Sequence, residues 1–137
     1  MTWLDLVENP EAVKGVFDVA PSLKNVEVIS VHLDRDGPTL VVEVALNEKP
    51  NKLSFRWERN DVNAVNLKLQ LLGVESLKLD GWASENPVAI GIHPGNSTKI
   101  AVHITGLTTQ LSCGCGSLRI GGLAGYHRES PSHELQP

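Results

Sequence analysis

The chain has 137 residues, of which 41% are hydrophobic and 20% are charged, with a formal net charge of -4 and a pI of about 5.7. This composition is typical of one folded domain that needs neither a metal ion nor a disulfide, and its acidic balance disfavours nucleic acid and anionic membranes as partners. No signal peptide and no run of roughly 20 apolar residues is recognisable, so we expect a cytoplasmic protein with reduced thiols.

The first twenty residues favour short helices. Thr2 is predicted to cap a first turn, and Asn9-Pro10 is predicted to cap and start a second helix that reaches about Phe17. Gly15 lies inside this second helix and weakens it.

From Asn25 onward, strand-length runs alternate between apolar and polar residues. The clearest are TLVVEVAL (39–46), VNLKLQLLGV (65–74), VESLKLDGW (74–82) and VAIGIHPGNSTKIAVHIT (88–105), and NVEVISVHLD (25–34) is rich in β-branched residues. Residues 47–61, NEKPNKLSFRWERND, are predicted to form a loop and an edge strand, and GGLAGY (121–126) a turn.

Turn residues separate these runs and no long helix intervenes, which indicates antiparallel pairing. The sequence therefore predicts a mostly β (α+β) fold: short N-terminal helices packed on a curled antiparallel sheet of about eight strands, resembling a sandwich or an open barrel. Residues 1–127 are expected to form a single domain, and residues 128–137 a disordered tail.

The two cysteines lie in LSCGCGSLRI (111–120), and as residues i and i+2 of a strand they share a face with Leu111. Buried structural thiols are favoured over a metal site, which needs about four ligands, and over a redox pair, which would be strained at this spacing. Leu118 and Ile120 are out of register with Cys113 and Cys115, which predicts a bulge or turn at Gly116-Ser117.

No sequence signature of an enzyme is present: the chain lacks a nucleophile elbow, a phosphate loop and a dinucleotide fingerprint. His32, His93 and His103 each alternate with apolar strand residues and are predicted to face solvent, and no cofactor or metal is expected. A triad assembled in space stays open at this point.

The charged segment FRWERND contains Trp57, which is either a half-exposed interface anchor or a cover for one end of the sheet. Acidic residues occur beside it and in other predicted loops. If they converge on one rim, they would suit a basic partner. The candidate partner-binding residues are Trp57, Glu58, Asp61, Asp34, Asp36 and Glu85.

Several segments together resemble the bacterial immunity protein 50 family of polymorphic toxin systems. These are WLDLVENPEAV, VHLDRDGPTLVVEVAL, VNLKLQLLGVESLKLDGW, IAVHITG and LSCGCGSLRIGGLAGY, in this order between Trp3 and Tyr126. The resemblance implies a non-enzymatic protein that binds and sterically neutralises a cognate protein toxin, which the acidic surface suggests is basic and nuclease-like. The alternative is a small β-barrel ligand-binding protein or enzyme that uses the strand histidines.

Overall fold

The computed structural model describes residues 2–84 and 87–128. The chain begins with a 3₁₀ helix, Trp3–Leu6, which Thr2 caps as predicted: its hydroxyl accepts from the Leu4 amide at 3.3 Å, and its own amide donates to Asp5 at 3.0 Å. The short helix α1 (Glu11–Lys14) follows. It ends before the predicted limit at Phe17, since Gly15 stands at its C-cap.

Within residues 2–84 and 87–128, eight strands form one antiparallel sheet, and the predicted fold class is confirmed. The strands are β1 (Val26–Asp34), β2 (Thr39–Ala45), β3 (Ala64–Leu72), β4 (Ser76–Asp80), β5 (Pro87–Pro94), β6 (Ile100–Gly106), β7 (Gln110–Cys115) and β8 (Ser117–Tyr126). Their order is β4-β7-β6-β5-β1-β2-β3-β8. Strand β8 includes the whole of GGLAGY, so the predicted turn there is wrong: residues 122–126 pair with β3 from Lys68 back to Ala64, and Gly121 stands at a shift in the register.

The two strands at the ends of this order, β4 and β8, each follow a chain passage, and these passages meet at one corner of the sheet. The chain passes from β3 to β4 through residues 73–75 and from β7 to β8 through Gly116. The Gly116 amide donates to the Leu72 carbonyl at 2.9 Å and to the Gly73 carbonyl at 3.1 Å, so these two passages are in contact. We call residues 72–73 and 116–117 the closed corner. Its position confirms the predicted break at Gly116-Ser117.

The N-terminal segment covers the edge of β8. The sequence predicted that Asn9 caps α1, but it does not. Its side-chain amide instead donates to the Ile120 carbonyl at 3.0 Å and accepts from the Ile120 amide at 2.7 Å. The neighbouring Glu8 amide donates to the Leu118 carbonyl at 2.8 Å. Asn9 therefore satisfies strand-edge groups that would otherwise lack a partner.

The inner face of the curled sheet forms one apolar core together with the N-terminal segment. The alternating residues of β2 and β3 are fully buried, as their pattern predicts; they are Leu40, Val42, Val44, Val65, Leu67, Leu69 and Leu71. Val13 and Phe17 pack against the same core from the N-terminal side.

Between β2 and β3, residues Phe55–Arg59 form a second short helix, α2, where the sequence predicted an edge strand. The alternation of Leu53, Phe55 and Trp57 fits a strand, but the Ser54 hydroxyl accepts from the Trp57 amide at 3.3 Å and caps a helical turn. That prediction was therefore wrong, and helix is not confined to the first twenty residues.

Of the predicted disordered tail, only Arg128 lies within the described residues. Its amide donates to the Asn63 side chain at 2.6 Å, and the Asn63 amide group donates back to the Arg128 carbonyl at 2.8 Å. The end of β8 is thus tied to the start of β3. No helix in the described part of the chain is long and apolar enough to span a membrane.

Candidate partner-binding surfaces

Helix α2 presents Phe55, not Trp57, to the solvent. The Phe55 side chain is 74% exposed, and the Arg59 guanidinium carbon lies 5.6 Å from the centre of its ring. Trp57 is half-buried and packs against the core. The exposed aromatic of this segment is thus two residues from the predicted one, because a helix turns positions 55 and 57 to different sides.

Trp57 covers one end of the sheet. Its indole lies so close to Gly125 that a Cβ added there would come within 2.7 Å of the Trp57 Cε2 atom. Gly125 is paired with the fully buried Val65, so this contact lies next to the core. Of the two roles considered for Trp57, its packing favours the structural one, while its contact with a partner stays a prediction.

The predicted acidic residues do not form one surface. Glu58 and Asp61 lie on and just after α2, next to the start of β3, whereas Asp34 and Asp36 lie at the β1–β2 hairpin, next to its end. The nine residues of β3 separate the two groups by about 27 Å at the usual rise per residue. A partner contacting all four would have to span the length of the sheet. Glu85, the remaining candidate, lies outside the described residues.

On one side of the sheet, two leucines point toward the core but remain exposed to solvent. The sequence did not indicate this side. Leu33 of β1 is paired with Leu40, and Leu79 of β4 is paired with Leu111; both partners are buried. Directly paired residues share one side of a sheet, so Leu33 and Leu79 point toward the core. Yet they are 55% and 46% exposed.

Leu33 lies at a cavity between the end of β1 and the start of β4, and Leu79 follows two residues after Leu77, which lines the same cavity. This cavity of about 390 Å³ opens between the two strands, lined by Leu33, Arg35 and Pro38 from one side and by Val74, Glu75, Ser76 and Leu77 from the other. We call the surface formed by residues 30–38 and 74–81 the open side. Its alternating leucines were visible in the sequence, but the lack of a covering strand was not.

The three strand histidines lie on the surface of the described structure, outside the two cavities found there. The side chains of His32, His93 and His103 are all exposed, as predicted. The His93 and His103 rings stack with their centres 5.0 Å apart, and His103 Nδ1 lies 3.3 Å from the Ser112 hydroxyl. Neither the 390 Å³ cavity nor a second one of about 200 Å³ beside Glu43 and Lys68 is lined by histidine.

Cys113 and Cys115 are free and buried in the core, next to the closed corner. Burial, and to a smaller extent the neighbouring Cys115, raises the pKa of the Cys113 thiol from 9.0 to about 12. Burial also raises the pKa of the Cys115 thiol. Because the thiolate is the nucleophile and the metal ligand, both groups are poorly suited to such chemistry at neutral pH. Within residues 2–84 and 87–128, no group of three or more His, Cys, Asp or Glu side chains could hold a metal ion.

A comparison with known protein families identifies the family of this chain. A family model described as immunity protein 50 matches residues 9–126, which is most of the chain. The chain belongs to the immunity protein 50 family. The match begins at Asn9, which bonds to β8, and ends with the last residue of β8, so it covers every strand of this immunity protein. No curated protein and no solved structure matches the chain.

Proposed function

We propose that this immunity protein binds a cognate toxin domain of a polymorphic toxin system and neutralises it sterically, without chemistry of its own. The observation that carries the proposal is the family match over residues 9–126. The raised pKa of the buried Cys113 thiol supports it, because this thiol is a poor nucleophile at neutral pH.

The charge of the chain suggests the chemistry of the toxin. A formal net charge of -4 favours a basic partner such as a nuclease, since complementary charges accelerate association and reject partners of like charge. The proposal places the encounter in the cytoplasm, where the free thiols would stay reduced.

The toxin-binding residues include some of the sequence-predicted ones. Stable complexes bury roughly 1,200–2,000 Å² in total, so one interface does not need both ends of β3. The candidate carboxylates form two groups: Glu58 and Asp61 on the α2 surface (residues 54–61), and Asp34 and Asp36 at the hairpin. Loops and turns of this kind can vary to suit a partner without disturbing the core.

The second candidate function, a ligand-binding protein or enzyme that uses the histidines, gains no support from the geometry. A binding site is usually a largely apolar cavity with a few convergent polar groups. The histidines here lie on the outer surface, and the larger cavity is lined by leucine, valine and proline with one arginine, one glutamate and one serine.

The test begins with the gene next to this one. We expect a large secreted protein with a variable C-terminal domain to be encoded immediately upstream. That domain should arrest growth when produced alone, co-production of this chain should restore growth, and the two purified proteins should form a stable complex. The rate of association should fall steeply with added salt if the toxin is basic. An upstream toxin domain that this chain neither binds nor neutralises would contradict the proposed function.

A further inference from the structure

The open side combines solvent-exposed apolar side chains with a cavity beside them. Leu33 and Leu79 point toward the core but are about half exposed, and Trp82, just after β4, is 48% exposed. A cavity of about 390 Å³ separates the two strands, which is large enough for more than one apolar side chain. Exposed apolar surface bordered by polar residues is typical of an interaction site.

The backbone at this side also lacks a partner strand. In the described part of the chain, β1 pairs with β5 only at Val26 and Glu27, so Ser30–Leu33 pairs with β2 alone. Strand β4 likewise pairs with β7 alone. Unpaired strand edges are templates for an additional strand, and an added strand would place alternate side chains over the apolar cavity.

The charges around the open side restrict the occupant. Residues 30–38 and 74–81 contain four carboxylates, Asp34, Asp36, Glu75 and Asp80, against two cations, Arg35 and Lys78. Arg35 pairs with Asp36 at 3.8 Å, and both side chains are almost fully exposed, so this contact is weak and easily exchanged. The surplus of carboxylates favours a segment that carries lysine or arginine beside its apolar residues.

We propose that the open side is the primary toxin-binding surface and receives an extended segment of the toxin as an added strand. Alternate apolar side chains of that segment enter the cavity between Leu33 and Leu77, and its basic residues contact the surrounding carboxylates. This inference rests on the proposed function, and it makes the α2 surface secondary.

The experiment uses the upstream toxin domain as a catalytically inactive variant and measures its affinity for the full chain by calorimetry. Leu33→Asn and Leu79→Asn remove apolar surface at the open side without changing the charge. Phe55→Asn makes the same kind of change on the exposed face of α2 and is the matched control. Because all three residues are substantially exposed, the variants should keep the wild-type circular dichroism spectrum and urea midpoint.

We expect each open-side variant to weaken binding by about 30-fold or more, as for the loss of an interface anchor, and Phe55→Asn to change it less than about 3-fold. A large loss for Phe55→Asn with unchanged Leu33→Asn and Leu79→Asn would overturn the inference while leaving the proposed function intact. Failure of the wild-type chain to bind would overturn both.

Hydrogen exchange on the unmodified complex provides a second measurement that needs no variant. Amides of residues 30–33 or of residues 76–79 should become protected when the toxin binds, because an added strand forms backbone hydrogen bonds with one of these two edges. Protection confined to residues 55–61 would overturn the inference. So would a concentration-dependent dimer of the free chain that Leu79→Asn abolishes, since the occupant would then be a second copy.

Discussion

One stretch of sequence, VNLKLQLLGVESLKLD, contains fully buried leucines and also one of the most exposed leucines of the sheet. Leu71 of β3 is fully buried, whereas Leu79 of β4 is 46% exposed. Both point toward the core, as their pairing with buried leucines shows. Strand β3 lies between β2 and β8, but among the described residues β4 has only β7 beside it. Alternation therefore decides which way a side chain points, and the neighbouring strands decide whether it is covered.

Truncating Leu71 and Leu79 separately is the most direct test of this difference in burial. Leu71→Ala should lower the free energy of unfolding by about 2–5 kcal/mol, because it leaves a cavity in a packed core. Leu79→Ala should cost less than about 1 kcal/mol, since its side chain already contacts water. Urea denaturation of both variants measures the difference. Equal losses would mean that the open side is closed in solution.

Helix α2 provides a second pair of residues with the same contrast. Trp57→Ala should lower the free energy of unfolding by about 1–3 kcal/mol, because its indole covers the end of the sheet next to Gly125. Phe55→Ala should change it by no more than about 0.5 kcal/mol. Thermal denaturation with a parallel toxin-binding measurement separates stability from affinity. A Trp57→Ala protein of normal stability that no longer binds would restore Trp57 as the anchor.

The buried Cys113 thiol, next to the closed corner, should make stability depend on pH in the alkaline range. The unfolded Cys113 thiol ionises near pH 9, but the folded one keeps its proton up to about pH 12. Below about pH 9 this group gives no pH dependence; above it, only the unfolded state loses the proton, so stability falls as the pH rises toward 12, by at most about 1.4 kcal/mol per pH unit.

Cys113→Ala should remove that part of the pH dependence. The measurement is the free energy of unfolding of both proteins at about pH 8 and about pH 10.5. The wild type should lose more stability than the variant between these two values. A variant that loses as much as the wild type would show that Cys113 ionises as easily in the folded protein as in the unfolded one.

The smallest expected effect concerns the other thiol. Cys115→Ala should cost about 1 kcal/mol of stability and leave toxin neutralisation intact, because a buried cysteine acts as a small apolar residue. Differential scanning calorimetry and the growth assay check the two parts. Detection of about one equivalent of tightly held zinc in the wild-type protein would contradict this structural role.

Much of the sheet could be predicted, because the patterns that indicate its strands involve residues close together in the sequence. The period-two pattern located the inner faces of β2 and β3, and the mismatch between Cys115 and Leu118 located the break at Gly116. The helix α2 was not predictable in this way, since three alternating apolar residues fit a strand as well as a loop with one capped turn. Ser54 was the available signal, because its hydroxyl provides the cap.

The open side could not be predicted, because it depends on pairings between distant parts of the chain. Nothing near Leu33 or Leu79 in the sequence indicates that β1 parts from β5 after Glu27 or that β4 ends the strand order. The separation of Asp34 and Asp36 from Glu58 and Asp61 has the same origin, since β3 lies between them. Sequence patterns identified these residues as polar and exposed but not their mutual distance.

The hydrogen bonds between Asn9 and Ile120 join residues that are 111 positions apart. Strand β3 also acquires its outer neighbour only when β8, the last strand of the described residues, has left the ribosome. Pairings of such long range make folding slow and leave strand edges bare while the chain is being synthesised. Under the proposed function, only chains synthesised through β8 and folded could neutralise the toxin. The protein would then have to be made at least one round of translation and folding before the toxin.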